Sequence, residues 1–425
     1  MIMTRWQWIL RQMSRRLFLR AGVISALSVA SAVLAILLKD YIPENLVLTL
    51  GADAVGSILT IIASSMLAVT TFSLSTVVQA FATAATTATP RATALLQDDT
   101  AVQNMLSTFV GAFIFSLAGL ILLKTGIYGE SGRVVLFLVT ILVVVLLVMT
   151  LLRWIDFLLS FGRLDEVIRR VEKAANDAMS MRRERPYLGG IGLADPQTGI
   201  PGDAWPVETD RIAHVLHIDM EALQETAGKE RRVYLLVLPG SYVHTGQPLA
   251  RVSGPPDERI DKAVRNAITM GHDRSFSQDP RLGLIAMGEI ASRALSPGIN
   301  DPGTAIQIIG RVVNILSIWG RNNHGKDVLF NRVHVPPIRL DELFDDFFLP
   351  VGRDGASIAE VQIHIFRALE ALFAIGRKHS DPRYVEAVRR HAKIALDRCE
   401  RAMEGHYQLA AVQERAKHLE RLMAV

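Results

Sequence analysis

The residues Thr60, Ser64, Ser65, Thr71, Ser75, Gln79, Thr83, Thr86 and Thr89 recur at a spacing that gathers them on less than half of a helix circumference. Leu59, Ile62, Met66, Leu67, Leu74, Val77 and Phe81 take the other side. Hydroxyl and amide groups in such a row can stand in for water around a permeating solute. Thr60, Ser64, Thr71, Ser75, Gln79 and Thr83 are therefore candidates for the lining of a polar path. The same residues also suit close helix packing, each hydroxyl donating to a carbonyl one turn earlier or across an interface. The row continues into Thr83–Thr89, past the thickness of a bilayer, where packing in lipid no longer explains it. No ionisable residue stands in mid-row, which argues against proton coupling.

A second set, Ser296, Pro297, Gly298, Asn300, Asp301 and Pro302, interrupts two helical runs with residues that dictate backbone geometry. Asp301 suits an N-cap, Pro302 the first helical position, and Gly298 a positive φ. This reads as a structural or regulatory joint. An anion at the new helix start is disfavoured, because the Asp301 carboxylate would occupy the same amides. Glu289 and Arg293 are spaced to pair on the preceding helix.

Other reactive types are thinly spread. His214 and His217 would share a helix face but lie on opposite faces of a strand, and Arg211–Ile218 can be read either way. His272-Asp273-Arg274 reads as a polar helix end. Asp341, Glu342, Asp345 and Asp346 alternate with Leu343, Phe344, Phe347 and Phe348 as in an ordinary amphipathic helix. Cys399 is the one cysteine, so no disulfide or cysteine-based zinc site can form within the chain. Phosphate-binding, dinucleotide and nucleophile-elbow motifs are all missing. We expect no enzyme activity, no metal and no cofactor.

The elements that carry these residues begin with a long apolar third. Segments near Leu17–Leu38, Ala54–Val78, Leu106–Leu123 and Val134–Leu152 each approach or exceed the roughly 18 residues needed to cross a bilayer. Arg5, Arg11, Arg15, Arg16 and Arg20 precede or open the first, and Arg153, Arg163, Arg169 and Arg170 follow the last. The positive-inside bias then puts both termini in the cytoplasm, with loops 39–53 and 124–133 outside. The expected site is an inner or plasma membrane. Leu17–Leu38 is too long for a signal-peptide core and is expected to stay as an anchor. A net charge of +4 gives no case for nucleic acid.

The expected fold class is membrane α-helical, with four transmembrane helices, plus a cytoplasmic α+β domain made of a small β-unit and a helical bundle. Residues 1–16 form a basic interfacial N-terminus, 17–152 the transmembrane domain and 153–185 a connecting helix. Residues 186–254 form a β-rich unit around Arg232–Leu238 and Ser241–Val252, and 255–425 a helical domain. Residues 190–208 read as loop, and 256–271, 280–295, 302–321, 356–378, 382–404 and 406–423 as helices. Pro90 is expected to break the helical segment that follows the second span.

Three stretches resemble a widespread family of bacterial predicted membrane proteins of unknown function. They are Ala291–Ala305 with its Ser-Pro-Gly-Ile-Asn-Asp-Pro string, Gln278-Asp279-Pro280, and Ser65–Thr70. Pro239–Leu249 is similar to the family's Pro-Gly-x-x-Val-x-x-Gly-x-Pro-Leu pattern. The resemblance covers about residues 15–375, and it implies this architecture without implying an activity. The residues themselves lead to two expectations. One is a homo-oligomer in the lipid bilayer that passes a small solute or ion under control of its cytoplasmic domain. The other is a membrane-anchored sensor or scaffold for a ligand or partner protein.

Overall fold

The computed structural model describes residues 22–26, 28–30, 52–97, 99–125, 129–195, 198–320 and 328–424. They divide into two units, one ending at Val167 and the other beginning at Ile168.

The first unit is helical. Helix α1 (Ala52–Thr87) is followed by the short α2 (Pro90–Gln97), then α3 (Thr100–Lys124) and α4 (Gly129–Ser160). Pro90 opens α2, as its missing N–H and fixed φ favour. Thr89 caps α2 through its Oγ1, and Asp99 caps α3 by accepting from the Ala101 N–H at 2.6 Å. Three stretches, Ala54–Thr87, Thr100–Lys124 and Gly132–Leu159, are long and apolar enough to cross a membrane. Most of the expected first span lies outside the described residues; 22–26 and 28–30 are helical.

α1 and α3 run antiparallel. Gly56 faces Leu123 and Gly119 faces Leu59, the absent side chains letting the backbones approach. Val55, Leu59, Phe115, Val135 and Leu136 form the apolar centre where α1, α3 and α4 meet. At the other end of the spans, rings of Phe81, Phe161, Phe157, Trp154 and Phe109 pack in succession, with centroids 4.6–6.4 Å apart. Gly162 ends α4 at φ 80°, where a Cβ would press on Ala80. The single charged helix expected after the last span is therefore interrupted. α4 stops at Ser160 and α5 (Leu164–Glu184) begins after the turn.

In the second unit α5 leads to two sheets. The larger has strand order β1 (Gly190–Gly192), β8 (Phe330–Val335), β4 (Val233–Leu235), β6 (Pro248–Val252) and β2 (Trp205–Glu208). β8 is parallel to both β1 and β4, and the other pairings are antiparallel. The smaller sheet orders β5 (Tyr242–Val243), β3 (Ala213–Ile218) and β7 (Ile268–Gly271). Between these strands lie α6 (Met220–Ala227) and α7 (Glu258–Ala267). Val207, Val215, Leu223, Leu235, Leu249, Val264 and Val333 are among the buried residues of the shared core.

Four strands depart from the expected element boundaries. β1 and β2 lie in residues read as loop, β7 in residues read as helix, and β8 in the segment read as helical domain. Each is six residues or shorter, and each is defined by pairing with distant residues that local periodicity does not register. The remaining helices are α8 (Pro280–Ala294), α9 (Pro302–Gly320), α10 (Leu340–Asp354), α11 (Ala359–Lys378), α12 (Pro382–Ala402) and α13 (Leu409–Ala424). They pack mainly as α8 on α9 and α10, α11 on α9 and α12, and α13 on α11 and α12.

Candidate functional site

The hydroxyl row lies on the side of α1 turned away from the unit's interior. Thr60, Ser64, Ser65, Thr71, Ser75, Gln79, Thr83 and Thr86 are exposed, while Val55, Leu59, Ile62, Met66, Val77, Ala84 and Ala88 are buried on the opposite face. Thr60, Ser64, Ser65, Thr71, Thr83 and Thr86 donate to carbonyls three or four residues back, at 2.6–3.0 Å. Those protons are satisfied within the helix, so the oxygens can face an apolar or a polar neighbour at little cost. The division is incomplete: Ile61, Phe72 and Val78 are exposed among the hydroxyls, and Leu67 and Leu74, expected on the packed side, are exposed as well. Small hydroxyl residues buried inside the unit are different ones, Ser73 on α1 and Ser107 and Ser116 on α3. Thr89 departs from the expected row; it is buried and serves as the cap of α2.

At the second candidate, the joint between α8 and α9, the backbone is closed on itself. The Ile299 and Asn300 N–H groups donate to the Ser296 carbonyl at 3.0 and 2.8 Å, and the Asp301 N–H donates to the Ala294 carbonyl at 2.8 Å. Asp301 caps α9. Its Oδ1 accepts from the Thr304 N–H at 3.0 Å and its Oδ2 from the Thr304 hydroxyl, which together hold the carboxyl below its ordinary range. The left-handed residue is Asn300, with φ 50°, and not Gly298 as expected. A short amide side chain tolerates that conformation. Pro297, Gly298, Ile299 and Asn300 are exposed, so the joint holds two helices at a set angle and projects from the surface.

A third arrangement went unrecognised as a site in the sequence. Asp279 is almost fully buried at the start of α8, where its Oδ1 accepts from the Arg281 N–H at 3.1 Å. Its Oδ2 accepts from Arg274 Nε at 2.8 Å and Nη2 at 2.6 Å. Gly240, at φ 94°, approaches so closely that a Cβ there would lie 2.4 Å from Oδ2. The neighbouring Gln278 accepts the Ile218 N–H from β3 at 3.1 Å. Burial raises the Asp279 carboxyl, against the pull of Arg274. Arg182, on α5, is also buried; burial lowers its guanidinium to about 9, opposed by the charge of Asp279. None of its three side-chain nitrogens has a hydrogen-bond partner among the described residues. Two of the resembling stretches, Pro239–Leu249 and Gln278-Asp279-Pro280, thus meet here. The available signal was an aspartate directly before a proline, which marks a helix start.

The segment holding His214 and His217 is strand β3, which answers the helix-or-strand question. His217 is buried, and His214 packs edge-on to Tyr242 at 5.3 Å. Asp345 and Asp346 on α10 pair with Arg390 and Arg281, at 3.0 and 2.7 Å. Burial pushes the Cys399 thiol up to about 12, far from a nucleophile's range. No group of three metal-ligating side chains occurs among the described residues.

Comparison with known proteins gives one family and a few relatives. The pattern of a family described as predicted membrane protein (DUF2254) matches residues 14–371. The uncharacterized protein Mb1321c of Mycobacterium bovis is 32% identical over 139 residues, which are 31% of this chain and 27% of that protein. The uncharacterized protein Rv1290c of Mycobacterium tuberculosis is similar to the same extent. The match therefore spans about a quarter of the length of these relatives. No solved structure matches.

Proposed function

The chain belongs to the DUF2254 family of predicted membrane proteins, and on that premise we propose that it assembles into a homo-oligomer whose α1 helices enclose a path for a small solute or ion. The carrying observation is that, among the described residues, the hydroxyl face of α1 is open, while Val55, Leu59, Ile62, Met66 and Val77 opposite are buried. A membrane helix with a single use for small polar residues, packing within its own chain, would bury them. Here Ser73, Ser107 and Ser116 have that position and the row does not.

Length supports the same reading. The 36 residues of α1 extend about 54 Å at 1.5 Å per residue, well beyond the ~30 Å of hydrocarbon. Exposed hydroxyls continue to Thr83 and Thr86 near its end. On this reading the first apolar segment is a fourth span, both termini lie in the cytoplasm of the bacterial cell and the membrane is the inner one. The second unit controls passage. Basic residues flanking the spans motivate this orientation.

Thiol accessibility tests the lining. In a Cys399→Ser background, single cysteines at Ser64, Thr71 and Ser75 should react with a small, water-soluble thiosulfonate reagent in intact membranes. Cysteines at Leu142 and Val145, on the exposed apolar face of α4, should not. Equal protection at both sets would refute the path.

A further inference from the structure

We propose that the second unit holds a binding site for a phosphate monoester, in a cavity of about 280 Å³ between the β2–β3 loop and the last turn of α7. Asp210, Arg211, Lys262, Arg265, Thr269 and Met270 are among its lining residues. Three cations against one acid leave a surplus of positive charge around a concave surface. The C-terminal end of α7 offsets roughly half a charge of it.

These cations are unspent. Arg274, Arg281, Arg311, Arg383, Arg390 and Arg415 of the same unit all hold carboxylates. Arg211, Lys262 and Arg265 hold none among the described residues. The Arg265 guanidinium is aimed by donating Nη1 to the Glu208 carbonyl at 3.1 Å, which leaves its other N–H groups free for a ligand. The loop that carries Asp210 and Arg211 is fixed at several points. The Thr209 N–H donates to the Gln247 carbonyl at 3.1 Å, the Gly246 N–H to the Thr209 carbonyl at 2.8 Å, and the Thr245 hydroxyl to the Asp210 carbonyl at 3.2 Å.

Ligand class follows from charge and geometry. Two guanidinium forks and one ammonium suit an anion with several acceptor oxygens. A monoester phosphate carries about −1.5 to −2 charge near pH 7, which matches the surplus better than a single carboxylate does. This chemistry has two sources, a soluble phosphate ester or the headgroup of phosphatidic acid. The site stands independently of the proposed path.

The test measures acetylation of Lys262 by an amine-reactive acetyl ester, followed by mass spectrometry, on the full-length protein in detergent. Probes are inorganic phosphate, glycerol 3-phosphate, and phosphatidylcholine vesicles with and without phosphatidic acid. Sodium chloride at equal ionic strength is the control. Lys262 should react at least about fivefold more slowly with a phosphate probe, while the exposed Lys229 and Lys393 keep their rates. Arg211→Gln with Arg265→Gln should raise the half-protecting concentration by about tenfold or more, and Asp210→Asn should lower it. Protection by the soluble probes assigns a free phosphate ester, and protection by phosphatidic acid vesicles alone assigns a lipid headgroup. Unchanged Lys262 rates with every probe, protection equalled by chloride, or protection indifferent to the double variant would overturn the proposal.

Discussion

Gly240 and Asp279 are fitted to one another: a Cβ at Gly240 would stand 2.4 Å from the Asp279 Oδ2, and 2.7 Å from the Arg274 Nη2 that holds it. The Pro239-Gly240 turn and the residue that caps α8 are thereby locked although 38 positions separate Gly240 from Asp279, and β3 bonds to both segments, through Val215 to Gly240 and through Ile218 to Gln278. Gly240→Ala should cost about 3 kcal/mol, combining a left-handed backbone with a buried clash. Gly246, at φ 79° with open space around it, supplies the comparison; Gly246→Ala should cost only about 1 kcal/mol. Equal losses in thermal denaturation would mean that the approach to Asp279 is unimportant.

Arg182 makes an opposite prediction. A buried guanidinium without hydrogen bonds among the described residues is expensive even with a carboxylate in range. Replacing it by methionine, similar in reach and apolar, should leave the melting temperature unchanged or raise it. Asp279→Ala, which strands Arg274 and uncaps α8, should lower it by several degrees. A marked drop for Arg182→Met would show that its charge is needed in the fold.

α5 and α8 touch through Gly283, where a Cβ would lie 2.3 Å from the Ala175 Cβ. Gly283→Ala must push the two helices apart. The expected loss is about 1–3 kcal/mol despite alanine's better helix propensity. A stabilised variant, measured by urea denaturation, would contradict this contact.

His391 sets a pH dependence in the bundle. It is buried between Phe344 and Phe348, with Nε2 3.0 Å from Asp345 Oδ1, and burial pushes its imidazole down to about 4 from 6.5. Arg390 and Arg398 also repel its charged form. The unfolded chain then binds more protons than the folded one between these values. Stability is present above about 6.5 and lost as pH falls towards 4. His391→Leu should flatten that decline in melts taken across the window, and an unaltered slope would place the acid sensitivity elsewhere.

How much was legible in the sequence follows from the range of the forces involved. Asp301 before Pro302 announces the start of α9, because caps are local. The row from Thr60 to Thr83 was legible as one face, since 3.6 periodicity needs no partner. Its outward direction was not, because that depends on Leu59 and Ile62 finding α3 and α4. Likewise β8 gains its identity from β1 and β4, more than 90 positions away, and Phe330–Val335 carries no local mark of them. Asn300 took the left-handed position expected of Gly298, as two residues with access to that conformation stood two apart. Gly240, Asp279 and Arg274 each looked ordinary alone, and only their approach in space makes a junction.

The central claim is that the outward hydroxyl face of α1 lines a path. Its most direct test is the flux of ions and small solutes through proteoliposomes, comparing the parent protein with a folded variant carrying Ser64→Leu, Thr71→Leu and Ser75→Leu. The account predicts flux in the parent that is lost in the variant; no flux in either, or equal flux in both, would contradict it.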